Sequence, residues 1–124
     1  MNNLSEKISD SELEVMRVLW AAGCPLPITE IRQALQQKMG WEATTVKTLV
    51  GRLLAKGVLA QQKLKVFYYS ALVSEQEYND WATGNLIKKL YKGSAKALVA
   101  ALVQSDGLSK DDLDELRSFF KMEE

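Results

Sequence analysis

The chain has 124 residues, 47% of them hydrophobic, with 16 Lys/Arg balanced by 16 Asp/Glu, no histidine and one cysteine, Cys24. That apolar content suits one ordinary domain, or a small domain with an attached segment, and excludes a disordered chain. Without histidine and with one thiol, no Ser-His-Asp or Cys-His mechanism, internal disulfide or multi-thiolate site can be assembled, so no metal and no cofactor are expected.

In chain order, Ser9 and Glu12 form a capping box ahead of an apolar stripe at Leu13, Val15, Met16, Leu19 and Trp20 that ends at Gly23, a helix of three turns. Cys24-Pro25-Leu26-Pro27-Ile28 cannot continue it, because proline interrupts the hydrogen-bond ladder, and reads as a short extended connector. Thr29 is expected to cap a second helix through Met39, with Ile31 and Leu35 inward and Gly40 as its stop. Val46, Leu49, Val50, Leu53 and Leu54 recur at helical spacing and predict a third helix over 44–56, ended by Gly57. Two β-prone runs, 58–62 and 66–70, flank the basic turn Lys63-Leu64-Lys65 and predict a hairpin.

The pattern changes after Val73. Ser74 and Glu77 form a second capping box, opening a helix to about Lys92. Gly93-Ser94 breaks it, residues 95–105 form another, and Ser109 caps a last helix with Asp111 and Asp112 at its positive end. The expected fold is mainly α: a winged helix-turn-helix DNA-binding domain over 1–73, then a helical segment over 74–124. No apolar run reaches the ~18 residues of a membrane span, and MNNLSEKISD lacks the apolar core of a secretion signal, so a cytoplasmic location is expected.

Net neutrality conceals an asymmetry. Residues 1–73 carry nine Lys/Arg and six Asp/Glu, whereas residues 74–124 carry seven and ten. Within 38–65 there are six bases and one acid, Glu42, a local excess that suits either a polyanion or a lysine-rich solvated surface. The face of the third helix opposite its apolar stripe decides between them. It holds Thr44, Thr45, Lys47, Thr48, Gly51 and Arg52, and three threonines and a glycine are poor choices for helix stability alone. Threonine offers a hydroxyl and a methyl to base edges, lysine and arginine pair with phosphates, and arginine also reads guanine. Lys63 and Lys65 are expected at the wing tip, touching the DNA backbone or minor groove. Tyr68 and Tyr69 alternate across the strand, so one packs inward and the other faces out.

Two other classes stand against this reading. A winged-helix protein-interaction module would carry an acidic or apolar face on the third helix. An enzyme would have to use carboxylates or lysines, and Asp111, Asp112, Asp114 and Glu115 are better explained as a helix start and a solvated face. Cys24 reads either as a redox-sensitive thiol or as a small apolar residue.

The residues Ile8-Ser9 through Trp20, then Thr44-Thr45-Val46-Lys47-Thr48-Leu49-Val50-Gly51-Arg52-Leu53, then Phe67-Tyr68-Tyr69-Ser70, resemble the BlaI/MecI/CopY family of bacterial repressors. The resemblance implies a homodimer on an inverted repeat with TACA/TGTA-type half-sites, contacted through Thr44, Thr45, Lys47, Thr48 and Arg52. It also implies that residues 74–124 form the dimer interface, which fits apolar side chains left over there: Tyr78, Trp81, Leu86, Leu90, Leu98, Leu102, Leu116, Phe119 and Phe120. In the copper-responsive branch a repeated Cys-x-Cys motif holds the metal, and this sequence has none. In the β-lactam branch proteolysis releases the repressor, and the aligned bond here is Ala101-Leu102.

Overall fold

A computed structural model of the chain describes residues 3–122. After a 3-10 turn at Leu4–Lys7 come α1 (Asp10–Ala22), β1 (Leu26–Pro27), α2 (Ile28–Met39), α3 (Ala43–Ala55), β2 (Leu59–Lys63), β3 (Phe67–Ala71), α4 (Glu75–Tyr91), α5 (Ala95–Gln104) and α6 (Lys110–Met122). The chain divides into two compact units, one up to Ala82 and one from Thr83 on. Among the described residues no helix is long and apolar enough to cross a membrane.

The first unit is a winged helix. Its core joins Val15, Met16 and Leu19 of α1, Ile31 and Leu35 of α2, and Val46, Leu49, Val50 and Leu53 of α3, closed by Ile8, Val58, Leu59 and Val73. The strands form one antiparallel sheet in the order β1-β3-β2, with Leu26 opposite Tyr69 and Lys63 opposite Phe67. Tyr69 packs on the core and Tyr68 is half-buried.

Local signals act as their chemistry dictates. Ser9 Oγ accepts from the Glu12 N–H at 3.2 Å while Glu12 Oε1 accepts from the Ser9 N–H at 3.0 Å. Gly23 and Gly40 end α1 and α2 in the left-handed conformation, at φ 68° and 70°. At the end of α3, the Val58 N–H donates to Leu53 O and the Gly57 N–H to Leu54 O, at 3.0 and 3.1 Å. This 6→1 and 5→2 pair is a Schellman closure, with Val58 and Leu53 both buried beneath it.

Three expectations shift. Thr29 does not cap α2: the helix starts at Ile28, its N-cap is Pro27, and no side chain caps it. Pairing of Pro27 with Tyr68 in the sheet sets that entry instead. The third helix begins at Ala43, one residue earlier than expected, and ends at Ala55. The hairpin is displaced by one residue, because the Schellman closure takes up Val58. Lys63 therefore ends β2, and the turn is Leu64-Lys65-Val66.

A partly buried ion pair joins the start of α1 to the end of α3. The Glu12 side chain is 2% exposed, and Lys56 Nζ donates to both its oxygens, at 2.6 and 2.8 Å, and to Lys7 O at 2.9 Å. Burial pushes the Glu12 carboxyl up, but the Lys56 ammonium and the Ser9 hydrogen bonds outweigh it and hold the group below the ordinary carboxylate value.

Candidate nucleic-acid interface

The face of α3 expected to read DNA lies clear of the core. Val46, Leu49, Val50 and Leu53 are buried, and Thr44, Thr45, Lys47, Thr48, Gly51 and Arg52 are all exposed. The helix buries one stripe against α1 and α2 and leaves the opposite one free, as its periodicity requires.

Tertiary pairing changes the charge of this region. Of its six bases, Lys56 is held by Glu12 and Lys38 by Glu14 at 3.0 Å. Lys38, with Arg17 beside it, keeps the Glu14 carboxyl below its ordinary value. Lys47, Arg52, Lys63 and Lys65 remain, and among the described residues none of the four stands in an ion pair. They are the four bases expected to meet DNA.

The threonines are not equivalent. The Thr48 hydroxyl donates to the Thr44 carbonyl at 2.9 Å, a bond back along the helix. Its oxygen can still accept, so Thr48 suits the amino group of adenine or cytosine and not a phosphate, which only accepts. A Cβ built on Gly51 would meet nothing within 4 Å, so packing does not require glycine there.

Between α2 and α3 lies an open concavity of about 370 Å³ lined by Thr29, Arg32, Gln33, Gln36, Trp41, Glu42 and Ala43, so that it holds one base and one acid. Arg32 is half-buried in its wall, a basic group that the sequence reading left out. No local pattern marks it, because its position follows only from how α2 crosses the start of α3. In the wing, Lys63 Nζ lies 5.7 Å from the centre of the Phe67 ring, within cation–π range. Lys65 is exposed in the turn.

The residues expected at a dimer interface fall into two groups. Tyr78 and Trp81 belong to the first unit. Tyr78 stands 5.9 Å from Trp20 and 5.8 Å from Trp81, centre to centre, and the Trp20 indole N–H donates to Val73 O at 2.8 Å. This aromatic row sets the first turns of α4 against α1, inside the compact unit that runs to Ala82. Leu86, Leu90, Leu98, Leu102, Leu116, Phe119 and Phe120 lie in the second unit, where Leu90, Phe119 and Phe120 are 61%, 63% and 68% exposed. No described side chain from Thr83 to Phe120 is buried.

A winged helix with a carboxylate-free, hydroxyl- and base-bearing face on its third helix defines a DNA-binding helix-turn-helix protein. The penicillinase repressor family matches residues 8–122, and the chain belongs to that family. It is 34% identical to the methicillin resistance regulatory protein MecI of Staphylococcus aureus over 119 residues, 95% of this chain and 96% of the relative. It is 31% identical to the penicillinase repressor of Bacillus licheniformis, over 89% of this chain and 86% of the other. The solution structure of the DNA-binding domain of the repressor BlaI superposes with a TM-score of 0.54 at 34% identity, covering 63% of this chain and 94% of that one. The Bacillus licheniformis BlaI monomer in complex with the blaP half-operator gives 0.51 at 36% identity, over 57% and 87%.

Proposed function

We propose that the protein is a homodimeric, sequence-specific transcriptional repressor acting in the cytoplasm on an inverted repeat with TACA/TGTA-type half-sites. The first unit binds DNA and the second dimerises. Helix α3 enters the major groove. Thr44, Thr45 and Thr48 meet base edges, Lys47 and Arg52 meet phosphate or guanine, and Lys63 and Lys65 meet the backbone beside it. The observation that carries this reading is the selection of charge: two neighbouring bases, Lys38 and Lys56, are held by acids of α1, and the four that stand in no ion pair among the described residues lie on α3 and the wing. The likeness to a BlaI chain solved on a half-operator supports it further.

The test is binding of the protein to a labelled TACA/TGTA repeat and to a scrambled duplex, across a salt series. Nanomolar affinity for the repeat with a wide margin over the scramble is expected. Lys47→Ala should weaken binding to both duplexes and reduce the salt slope by about one, as loss of one phosphate contact does. Arg52→Ala should cost about 1–3 kcal/mol if the arginine reads a base, and narrow the margin. Equal, weak and salt-sensitive binding to both duplexes by the unaltered protein would refute sequence-specific recognition.

Gly51→Ala separates folding from binding. With open space around the new methyl, it should raise stability by about 0.5–1 kcal/mol, read as a higher urea midpoint, through helix propensity alone. If α3 lies close against DNA, the same variant binds the repeat more weakly despite being more stable.

A further inference from the structure

The tip of the wing is apolar. Leu64 is 63% exposed and Val66 55%, with Phe67 next to them at 42%. The turn does not demand these residues. Among the described residues every positive φ lies outside it, and it closes by a 3.0 Å bond from the Leu64 N–H to Val66 O, which any side chain allows. Polar turn formers would suit both water and the bend better. Leucine and valine at the tip are therefore unexplained by folding.

Their surroundings indicate the partner. Lys63 and Lys65 alternate with them, and no Asp or Glu occurs anywhere between Glu42 and Glu75. An apolar tip edged by lysines and free of carboxylates is complementary to a polyanion with an apolar interior accessible through a narrow slot. The minor groove of duplex DNA, about 6 Å wide, is such a slot, and leucine is among the side chains that wedge between base steps there. We infer that the wing carries a minor-groove wedge: Leu64, backed by Val66, enters beside the half-site and loosens one base step, while Lys63 and Lys65 hold the flanking phosphates. The inference rests on the DNA-binding reading above and adds to it a means of sensing how easily the flanking sequence deforms, with no hydrogen bond to a base.

The test uses the full-length protein and a TACA/TGTA repeat in which 2-aminopurine replaces adenine at one flanking step per duplex. With the unaltered protein, fluorescence should rise at one step on each side, as a base there unstacks. Leu64→Ser with Val66→Ser should abolish the rise and lower affinity about tenfold while leaving the salt slope unchanged. Lys65→Ala should instead lower the slope by about one. If the double variant loses helical circular dichroism, Leu64→Ala alone carries the same readout. Binding by the unaltered protein with no rise at any flanking step, and unchanged affinity in the variant, would overturn the wedge and leave the proposed function standing. Failure of the unaltered protein to distinguish repeat from scramble would remove both. Loss of self-association in the double variant, seen by sedimentation, would overturn the wedge and make the tip a protein contact.

Discussion

Lys56→Met is expected to destabilise the first unit by about 3 kcal/mol at pH 7, lowering its melting temperature by upwards of about 12 °C. The cause is the partner left behind. Glu12 is 1% exposed, so without the ammonium its charge is buried with only the Ser9 N–H for support. Protonation offers an escape and sets a ceiling. Neutralising a carboxyl of ordinary value 4.5 at pH 7 costs about 3.4 kcal/mol, at about 1.36 kcal/mol per unit. Glu12→Gln should cost less, because the Lys56 side chain is a third exposed and can turn to water. The two variants also differ in their pH response. In the native protein the Glu12 carboxyl is held below its unfolded value, so its contribution is complete above about pH 4.5 and is lost as pH falls through the folded value. In Lys56→Met burial, the largest influence on the carboxyl, is opposed only by the Ser9 hydrogen bonds, so the folded value should rise above the unfolded one and the stability gap to the native protein should narrow on acidification. Urea titrations at pH 7 and pH 4 check both claims. An unchanged midpoint at pH 7 would mean that the pair contributes nothing.

Leu90→Asp combined with Phe120→Asp should convert the protein from dimer to monomer and weaken binding to the full inverted repeat by about 10²–10⁴-fold. Affinity for a duplex with a single half-site should stay the same. The second unit leaves Leu90 and Phe120 61% and 68% exposed, and the hydrophobic core of the first unit includes neither residue. Two linked half-sites gain through effective concentration what one cannot. Sedimentation velocity and the two duplexes separate the outcomes: a variant that still sediments as a dimer would put the interface elsewhere. Trp81 is a poorer probe, since it lies against Tyr78 within the first unit and its replacement would disturb that packing.

These two expectations differ in how far the sequence foreshadows them. The second follows from unpartnered leucines and phenylalanines that any reading of 74–124 encounters. The first does not, because Glu12 and Lys56 are 44 residues apart and each has an ordinary local explanation, one in a capping box and the other at a helix end.

What the sequence by itself determined is whatever acts within a turn or two of chain. The capping boxes at Ser9 and Ser74, the left-handed stops at Gly23 and Gly40, and the division of α3 into a buried and an exposed stripe all follow from hydrogen bonds or side-chain spacings of three to four residues. The DNA-facing candidates on α3 could be named for the same reason. Tertiary structure alone decided which lysines stay free, since Lys38 and Lys56 are neutralised by acids of another helix. It also decided that α2 starts at Ile28, that the wing turns at Lys65 with two apolar neighbours exposed, and that Tyr78 and Trp81 belong to the first unit. Each of these depends on a partner distant in sequence, and pairings at that range are set by how the helices and sheet close on one core, not by any local preference.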